Sequence, residues 1–394
     1  MKILYYSPHP TINYSSPSGA GTHIREVVKG MEEHGVTVKR LICGGEEAQP
    51  AASFVYKKHA LKKYIPAVLW QSLKDFRLMQ MDKHHGELLE QLILKEKPDA
   101  IYERGFYLMK SGYTIAKKYG IPYYVEVNAP FPEEKVQMDG PSLFISRARK
   151  IEGKQLEMAN GVFTVSSAMK DYLLRGRPHI HSDTIHVTPN AVNPANIQYT
   201  EKDIRTLRAR HGLDETDKVI GFVGSIFPYH GVDLLIEAFE VLSTEFNEAC
   251  KLLIVGGGES LPRLKERVQG SVIADKVIFT DNIPHKDVYA HIALMDITVM
   301  AKSNWYGSPV KIFEYGALGK AIIAPDVIPV RDVMVHQVHG LLVKDNLQEL
   351  KRALMYLLTH PEKAREMAEQ FKSKVLSEHT WHKTASHILQ VMQQ

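Results

Sequence analysis

An α/β chain of two doubly wound domains is the fold this sequence predicts, and three observations carry the prediction. Short apolar runs rich in Ile, Val, Tyr and Phe alternate with longer stretches of helical period, as in parallel sheets with crossover helices. That alternation occurs twice along the chain. Between the two occurrences lies a stretch rich in Pro and Asn with few large apolar residues, TPNAVNPANIQYTEK at 188–202, which reads as a linker.

In the first half the apolar runs predict strands at 2–7, 37–43, 100–103, 123–128, 161–166 and 184–187, with helices between them, notably 22–34 and 141–159. In the second half strands are expected at 219–224, 251–255, 276–280, 297–301, 321–324 and 340–343. Its helices are expected at 232–246, 261–268, 286–295 and 310–318. The tail from 362 to 394 has helical period with a break near 379–381. The domains are therefore expected at 1–195 and 196–379, with a last helix at about 380–394 packing back on the first. The halves share a pattern but no repeat of sequence. Ligands of doubly wound sheets bind beyond the carboxyl ends of the strands, so chemistry is expected in the loops after strands, in a cleft between the domains.

Composition narrows the function. A chain of 394 residues with 44% hydrophobic content can bury sizeable cores, and 49 basic against 45 acidic side chains leave a formal charge of only +4. That balance argues against nucleic acid as a partner. Cys43 and Cys250 stand far apart without metal-ligand spacing, so neither a disulfide framework nor a zinc site is expected, which favours the cytosol. The N-terminal MKILYYSPHP runs straight into a strand with no apolar stretch long enough for export or spanning, so the mature chain is expected to start at Met1.

The most informative segment is GSPVKIFEYGALGK at 307–320. Pro309 suits the first helical position and Ser308 a cap before it. Lys311 then falls in the first turn, where the positive end of the helix dipole disfavours a cation by a few tenths of a kcal/mol, roughly 0.3. A bound anion removes that conflict, because free first-turn amides and an ammonium together suit a phosphate or diphosphate. Glu314, one turn on, is placed to accept hydrogen bonds from ribose hydroxyls.

Other loops offer further candidates. Gly19 and Gly21, in SGAGT at the start of the first long helix, allow close approach of a ligand to the backbone, or serve only a flexible loop. A nicotinamide fingerprint fails there, since Ile24 stands where its third glycine belongs. His230, beside Ser225 and Gly231 at a helix entrance, can donate a hydrogen bond to a phosphate oxygen or merely cap a loop. Gly256 and Gly257 either line a nucleotide or allow a tight strand-to-helix connection. Glu103 and Arg104, and Glu126 and Asn128, end strands of the first half; a buried glutamate needs a partner, so a site in the cleft and a structural ion pair with Arg104 both stay open for Glu126. Finally, YKKHALKKYIPAVLW at 56–70 interleaves lysines with apolar and aromatic residues, which suits an anionic membrane surface or an ordinary solvated helix, with Pro66 breaking any continuous one.

Taken together, the loop from Gly19 to Thr22, PNAV at 189–192, FVGSIFPYHGVDLLIEAF at 222–239, the glycines at 256–258 and SPVKIFEYGALGK resemble the retaining glycosyltransferases of family 4. The resemblance covers nearly the whole chain. It implies the GT-B fold of two Rossmann-like domains, the first on the acceptor side and the second binding a nucleotide sugar. It implies transfer of a sugar, with retention, from a nucleoside diphosphate sugar to a sugar-containing or lipid-linked acceptor in polysaccharide, glycolipid or glycoconjugate assembly, without a metal or other cofactor, in the cytoplasm or at the inner membrane face. Lys311 and His230 then stabilise the leaving diphosphate. Glu314, Ser225, Val310, Ser308, Gly256, Gly257 and Tyr306 surround the donor, and Gly19, Gly21, Glu126, Asn128, Glu103 and Arg104 face the acceptor or sugar. Two departures stand out: Tyr306 replaces the first glutamate of the family's pair, and Ser225 and His230 replace an arginine and a lysine. A nucleotide-sugar 2-epimerase on a similar fold and a non-catalytic nucleotide-sugar-binding protein are the alternatives.

Overall fold

The computed structural model describes residues 1–16, 18–46, 65–246 and 249–394. It divides into one unit of Met1–Pro189 with Trp381–Gln394 and another of Asn190–Thr380. The first unit contains β1 (Lys2–Ser7), α1 (Gly19–Glu33), β2 (Thr37–Ile42), α2 (Ala67–Glu96), β3 (Ala100–Arg104), α3 (Ser111–Tyr119), β4 (Tyr123–Val127), α4 (Phe131–Asp139), α5 (Ile145–Met158), β5 (Gly161–Thr164), α6 (Ser167–Leu174) and β6 (Ile185–Val187). The second contains α7 (Glu201–Arg210), β7 (Lys218–Val223), α8 (Val232–Glu245), β8 (Cys250–Val255), α9 (Leu261–Gln269), β9 (Val277–Phe279), α10 (Val288–Leu294), β10 (Ile297–Val299), α11 (Val310–Ala317), β11 (Ala321–Pro325), α12 (Ile328–Arg331), β12 (Leu341–Val343), α13 (Leu347–Thr359) and α14 (Pro361–Glu378). A last helix, α15 (Trp381–Met392), returns to the first unit and packs on α1, where a Cβ on Gly30 would come within 2.7 Å of Ala385.

Among the described residues each unit holds one parallel sheet of six strands, ordered β2-β1-β3-β4-β5-β6 and β12-β11-β10-β7-β8-β9. Both orders reverse direction once, between β1 and β3 and between β7 and β10. Those are the points where a doubly wound sheet leaves a crevice at its strand ends. The second sheet is buried on both faces, and its strands alternate between two cores. Ile220, Phe222, Leu252 and Ile254 enter one; Val219, Val223, Leu253 and Val255 enter the other.

The expected elements differ from the observed ones at their ends. Helix α1 starts at Gly19 rather than Thr22, because Ser18 is its cap and accepts from the Gly21 N–H at 3.2 Å. The helix expected at 141–159 is α5, which begins only at Ile145, and a separate helix not expected from the sequence, α4, precedes it and ends at Gly140, whose φ is 97°. The end of the expected linker is already helical: Thr200 caps α7, and Asp203 returns the bond to the Thr200 N–H at 2.8 Å.

Helix α11 is held from behind by α14. A Cβ on Gly316 would stand 2.7 Å from Phe371 and 2.8 Å from Val375, both fully buried. Gly316→Ala is therefore expected to destabilise the protein by about 1–3 kcal/mol through overpacking, read from urea denaturation.

Candidate functional site

The strongest constellation lies at the β7/β10 reversal of the second unit. Lys311 occupies the first turn of α11, and its Nζ lies 4.1 Å from the centre of the Phe222 ring at the end of β7. The residue is only partly buried along its stem, yet Nζ itself is sealed from solvent and makes no hydrogen bond. Burial lowers its pKa to about 7, against an opposing pull from Glu314. Burial likewise raises Glu314 to about 7, opposed by Lys311. Among the described residues no hydrogen bond or ion pair engages the Glu314 carboxylate, and the two groups do not pair with each other. A sealed ammonium left without a hydrogen-bond partner costs free energy in the empty protein, and an anionic ligand that reaches it would recover that cost.

The helix that carries them is fixed to β7 by Tyr315. Its hydroxyl accepts from the Val223 N–H at 2.9 Å and donates to the Val223 carbonyl at 3.4 Å. This contact joins residues 92 positions apart, and the sequence offered only a tyrosine beside Glu314 to suggest it. Gly224, with φ 138°, leaves the room in which Lys311 sits; a Cβ there would stand 2.9 Å from Nζ.

Several expected roles change in this setting. Ser308 does not cap α11. Its hydroxyl accepts from the Asn190 N–H at 3.0 Å, the cap position is Pro309, and no side chain caps the helix. Asn190, in the PNAV motif, thereby ties the start of the second unit to the loop before α11. His230 donates from Nδ1 to the Ser225 carbonyl, which leaves Nε2 as an acceptor in the neutral ring. Burial, then the charge of Lys311, lowers its pKa to about 4. His230 therefore adds no charge to the empty site, and donation to a phosphate requires its protonation. Ser225 is exposed and is used through its carbonyl. Tyr306 sits in a turn closed by Asn304, whose Oδ1 accepts from the Tyr306 N–H at 3.3 Å and the Gly307 N–H at 2.5 Å. Val310 opens α11. The glycine loop after β8 packs against the loop after β7: the Gly257 carbonyl accepts from Ile226 at 2.9 Å, and a Cβ on Gly256 would meet the Gly224 carbonyl at 2.2 Å. Of the two readings of Gly256 and Gly257, loop packing accounts for these contacts.

In the first unit Glu126 is the centre of a buried network. Its Oε2 accepts from Tyr102 at 2.9 Å and lies 2.8 Å from His23 Nε2, while Oε1 accepts from Arg104 and Asn128. Burial pushes this carboxyl up, but the charges of His23 and Arg104 and the bonds from His23 and Asn128 outweigh burial and hold it at about 2. The ion pair with Arg104 is formed, and no lone pair of Glu126 is left over for an acceptor. Asn128 keeps a buried Oδ1 without a partner. Glu103 leaves the expected acceptor face: fully buried, it accepts from Tyr123 at 2.7 Å and Gln155 at 3.1 Å, and burial raises its pKa to about 8. Gly21 is required by the chain itself, since a Cβ there would meet the Ser16 carbonyl at 2.4 Å, whereas Gly19 faces open space. His9 was not anticipated. Its ring lies 3.9 Å from Phe106, accepts from the Thr11 and Ile12 amides, and is held neutral, near pKa 4, by burial and then by Arg104.

Residues 56–64 of the expected basic aromatic segment lie outside the described residues. Among the described residues no helix is long and apolar enough to cross a membrane.

Comparison with known proteins gives this geometry a setting. The family model described as Glycosyl transferases group 1 matches residues 203–374, and that described as Glycosyltransferase Family 4 matches residues 17–196. An uncharacterized glycosyltransferase of Methanocaldococcus jannaschii is 27% identical over 164 residues, 41% of this chain and 42% of that protein, so the match spans less than half of that relative's length. The alpha-maltose-1-phosphate synthase of Mycolicibacterium smegmatis is 24% identical over 313 residues, 75% of this chain and 79% of the relative. The crystal structure of Anabaena HepE in complex with UDP covers 100% of both chains with a TM-score of 0.73 at 15% identity, a likeness of fold. With a family match in each unit and the GT-B fold throughout, the chain belongs to the family 4 glycosyltransferases, its second unit being of the group 1 type.

Proposed function

We propose that the chain is a retaining glycosyltransferase whose second unit binds a nucleoside diphosphate sugar at the β7/β10 reversal and passes the sugar to an acceptor hydroxyl. The observation that supports this most is the pair Lys311 and Glu314, adjacent on α11 and each without a partner. As the bond from the anomeric carbon to the diphosphate breaks, its electron pair leaves on the phosphate oxygens, where Lys311 and the uncapped first turn of α11 stabilise it. The acceptor oxygen bonds to the anomeric carbon and its proton passes to the departing diphosphate. Glu314 holds the ribose, Tyr306 replaces the family's usual glutamate near the sugar, and His230 joins the phosphate once protonated. No step calls for a metal.

The test is a panel of nucleotide sugars scored by thermal stabilisation, beginning with UDP-sugars because HepE is similar in fold and was crystallised with UDP. One donor is expected to raise Tm, to be consumed only with an acceptor, and to give a product of unchanged anomeric configuration by NMR. Donor epimerised without acceptor identifies the epimerase instead, and an inverted product removes the retaining assignment.

Binding should also follow the titration of Lys311. The free ammonium is charged below about 7, so nucleoside diphosphate affinity is expected to fall as pH rises from 7 to 8.5, by roughly tenfold. Lys311→Arg should flatten that profile in calorimetric titrations, because the guanidinium stays charged throughout.

A further inference from the structure

Lys320 ends the segment that carries Lys311 and Glu314, yet it takes no part in the site at the strand ends. It follows α11 directly, after Gly319 with φ 62°, and so lies at the opposite end of that helix from Lys311. Its Nζ donates to the Ala293 carbonyl at 2.5 Å, which uses one of the three donors of an ammonium. Among the described residues no carboxylate forms an ion pair with it. Burial lowers its pKa to about 8, against the pull of Asp296 and with Lys372 adding to the fall. Partial burial thus disfavours the charge, and a bound anion would restore it.

Lys320 lines a half-open cavity of about 260 Å³ together with Lys218, which opens β7, and Arg365 on α14. This cavity lies at the amino ends of β7, β10 and β11, whereas the Lys311 site lies beyond the carboxyl ends of β7 and β10. One carboxylate joins the three cations in its lining. Asp296 accepts from the Val219 N–H through Oδ2 at 2.8 Å, which leaves its other oxygen for a ligand hydroxyl. Glu362 stands 3.7 Å from Arg365, but both side chains are exposed, so that pair is screened and weak. The floor is apolar, with Leu357, Ala364 and Ala368 buried there. Clustered cations select a multiply charged group such as phosphate, the Asp296 oxygen selects a hydroxyl beside it, and the floor accommodates carbon. The volume falls below the range that encloses a drug-sized ligand and suits a small ester.

We propose that this cavity is a second ligand site, for a small phosphate ester that carries hydroxyl groups, with the phosphate held by Lys320, Lys218 and Arg365. It stands independently of the donor assignment. The experiment is calorimetric titration of the full chain with glycerol 3-phosphate, inorganic phosphate and glycerol, made in the Lys311→Ala background so that an anion at the start of α11 does not contribute. Glycerol 3-phosphate is expected to bind that variant. Adding K218E/R365E, two exposed positions, is expected to weaken the binding by roughly tenfold or more with an unchanged melting temperature. Lys320→Gln keeps a donor for the Ala293 carbonyl and is expected to weaken it as well. Inorganic phosphate is expected to bind several-fold more weakly than the ester, and glycerol not at all. Absence of ester binding in Lys311→Ala, or binding that survives both K218E/R365E and Lys320→Gln, overturns the proposal. So does inorganic phosphate bound as tightly as the ester, which would show an ion site without selection for the carbon part. The donor site is read separately, since K218E/R365E alone should leave nucleotide-sugar binding unchanged.

Discussion

Lys311→Ala is expected to lower turnover by roughly two to three orders of magnitude with a competent donor and acceptor, an effect of the size seen when one preorganised donor to developing charge is removed. Two other positions leave this task to Lys311. Where relatives of the resemblance carry an arginine and a lysine, this chain has Ser225 and His230; the first is engaged through its carbonyl and the second is neutral in the empty site. In the proposed reaction Lys311 is then the principal formal charge that meets the leaving diphosphate, and its Nζ, sealed against Phe222 without a hydrogen bond, needs no solvent reorganisation to do so. The loss should fall on kcat more than on KM, because the charge on the phosphate oxygens grows as the bond breaks. A fall of less than tenfold, under about 1.4 kcal/mol, would falsify the leaving-group role.

Glu126→Ala is expected to destabilise the first unit by about 3–5 kcal/mol, the cost of leaving buried charge unpaired, because Arg104, His23 and the Tyr102 hydroxyl would all lose their acceptor at once. Glu126→Gln keeps an acceptor oxygen and should cost less, about 1–3 kcal/mol. The network also sets a pH dependence. The folded pKa of about 2 lies below the ordinary 4.5, so its contribution is complete above pH 4.5 and is lost as pH falls through 2. Stability measured by denaturant between pH 5 and 2.5 should fall more steeply for the wild type than for Glu126→Gln. Equal slopes, or a Glu126→Ala loss below about 1 kcal/mol, would show that the network contributes little.

The parallel strands were readable because a strand buried on both faces is a nearly unbroken apolar run, as KVIGFV and CKLLIV show. Helix α2 was not, since its first turns reverse the usual sidedness and its polar residues face inward. Lys311 and Glu314 could be picked out from a local pattern, a lysine and a glutamate three apart after Ser-Pro. Their surroundings could not: Phe222 and Tyr315 act across about ninety positions of chain, and Ser308 was claimed by Asn190 from 118 positions away. His23 gave no signal at all, because nothing near it in sequence resembles its partner Glu126.

What the sequence by itself determined is the alternation of apolar and amphipathic segments, hence two doubly wound sheets, together with motifs whose residues are neighbours in the chain. Tertiary structure alone decided which polar groups are already satisfied. Glu126 and Glu103 end adjacent strands and look alike in sequence, yet one is an ionised hub of four partners and the other a buried, largely neutral acid. Lys311 and Glu314 are left with none. The reason is physical: the state of a buried charge depends on the donors and acceptors within about 4 Å, and those come from strands and helices that only folding brings together.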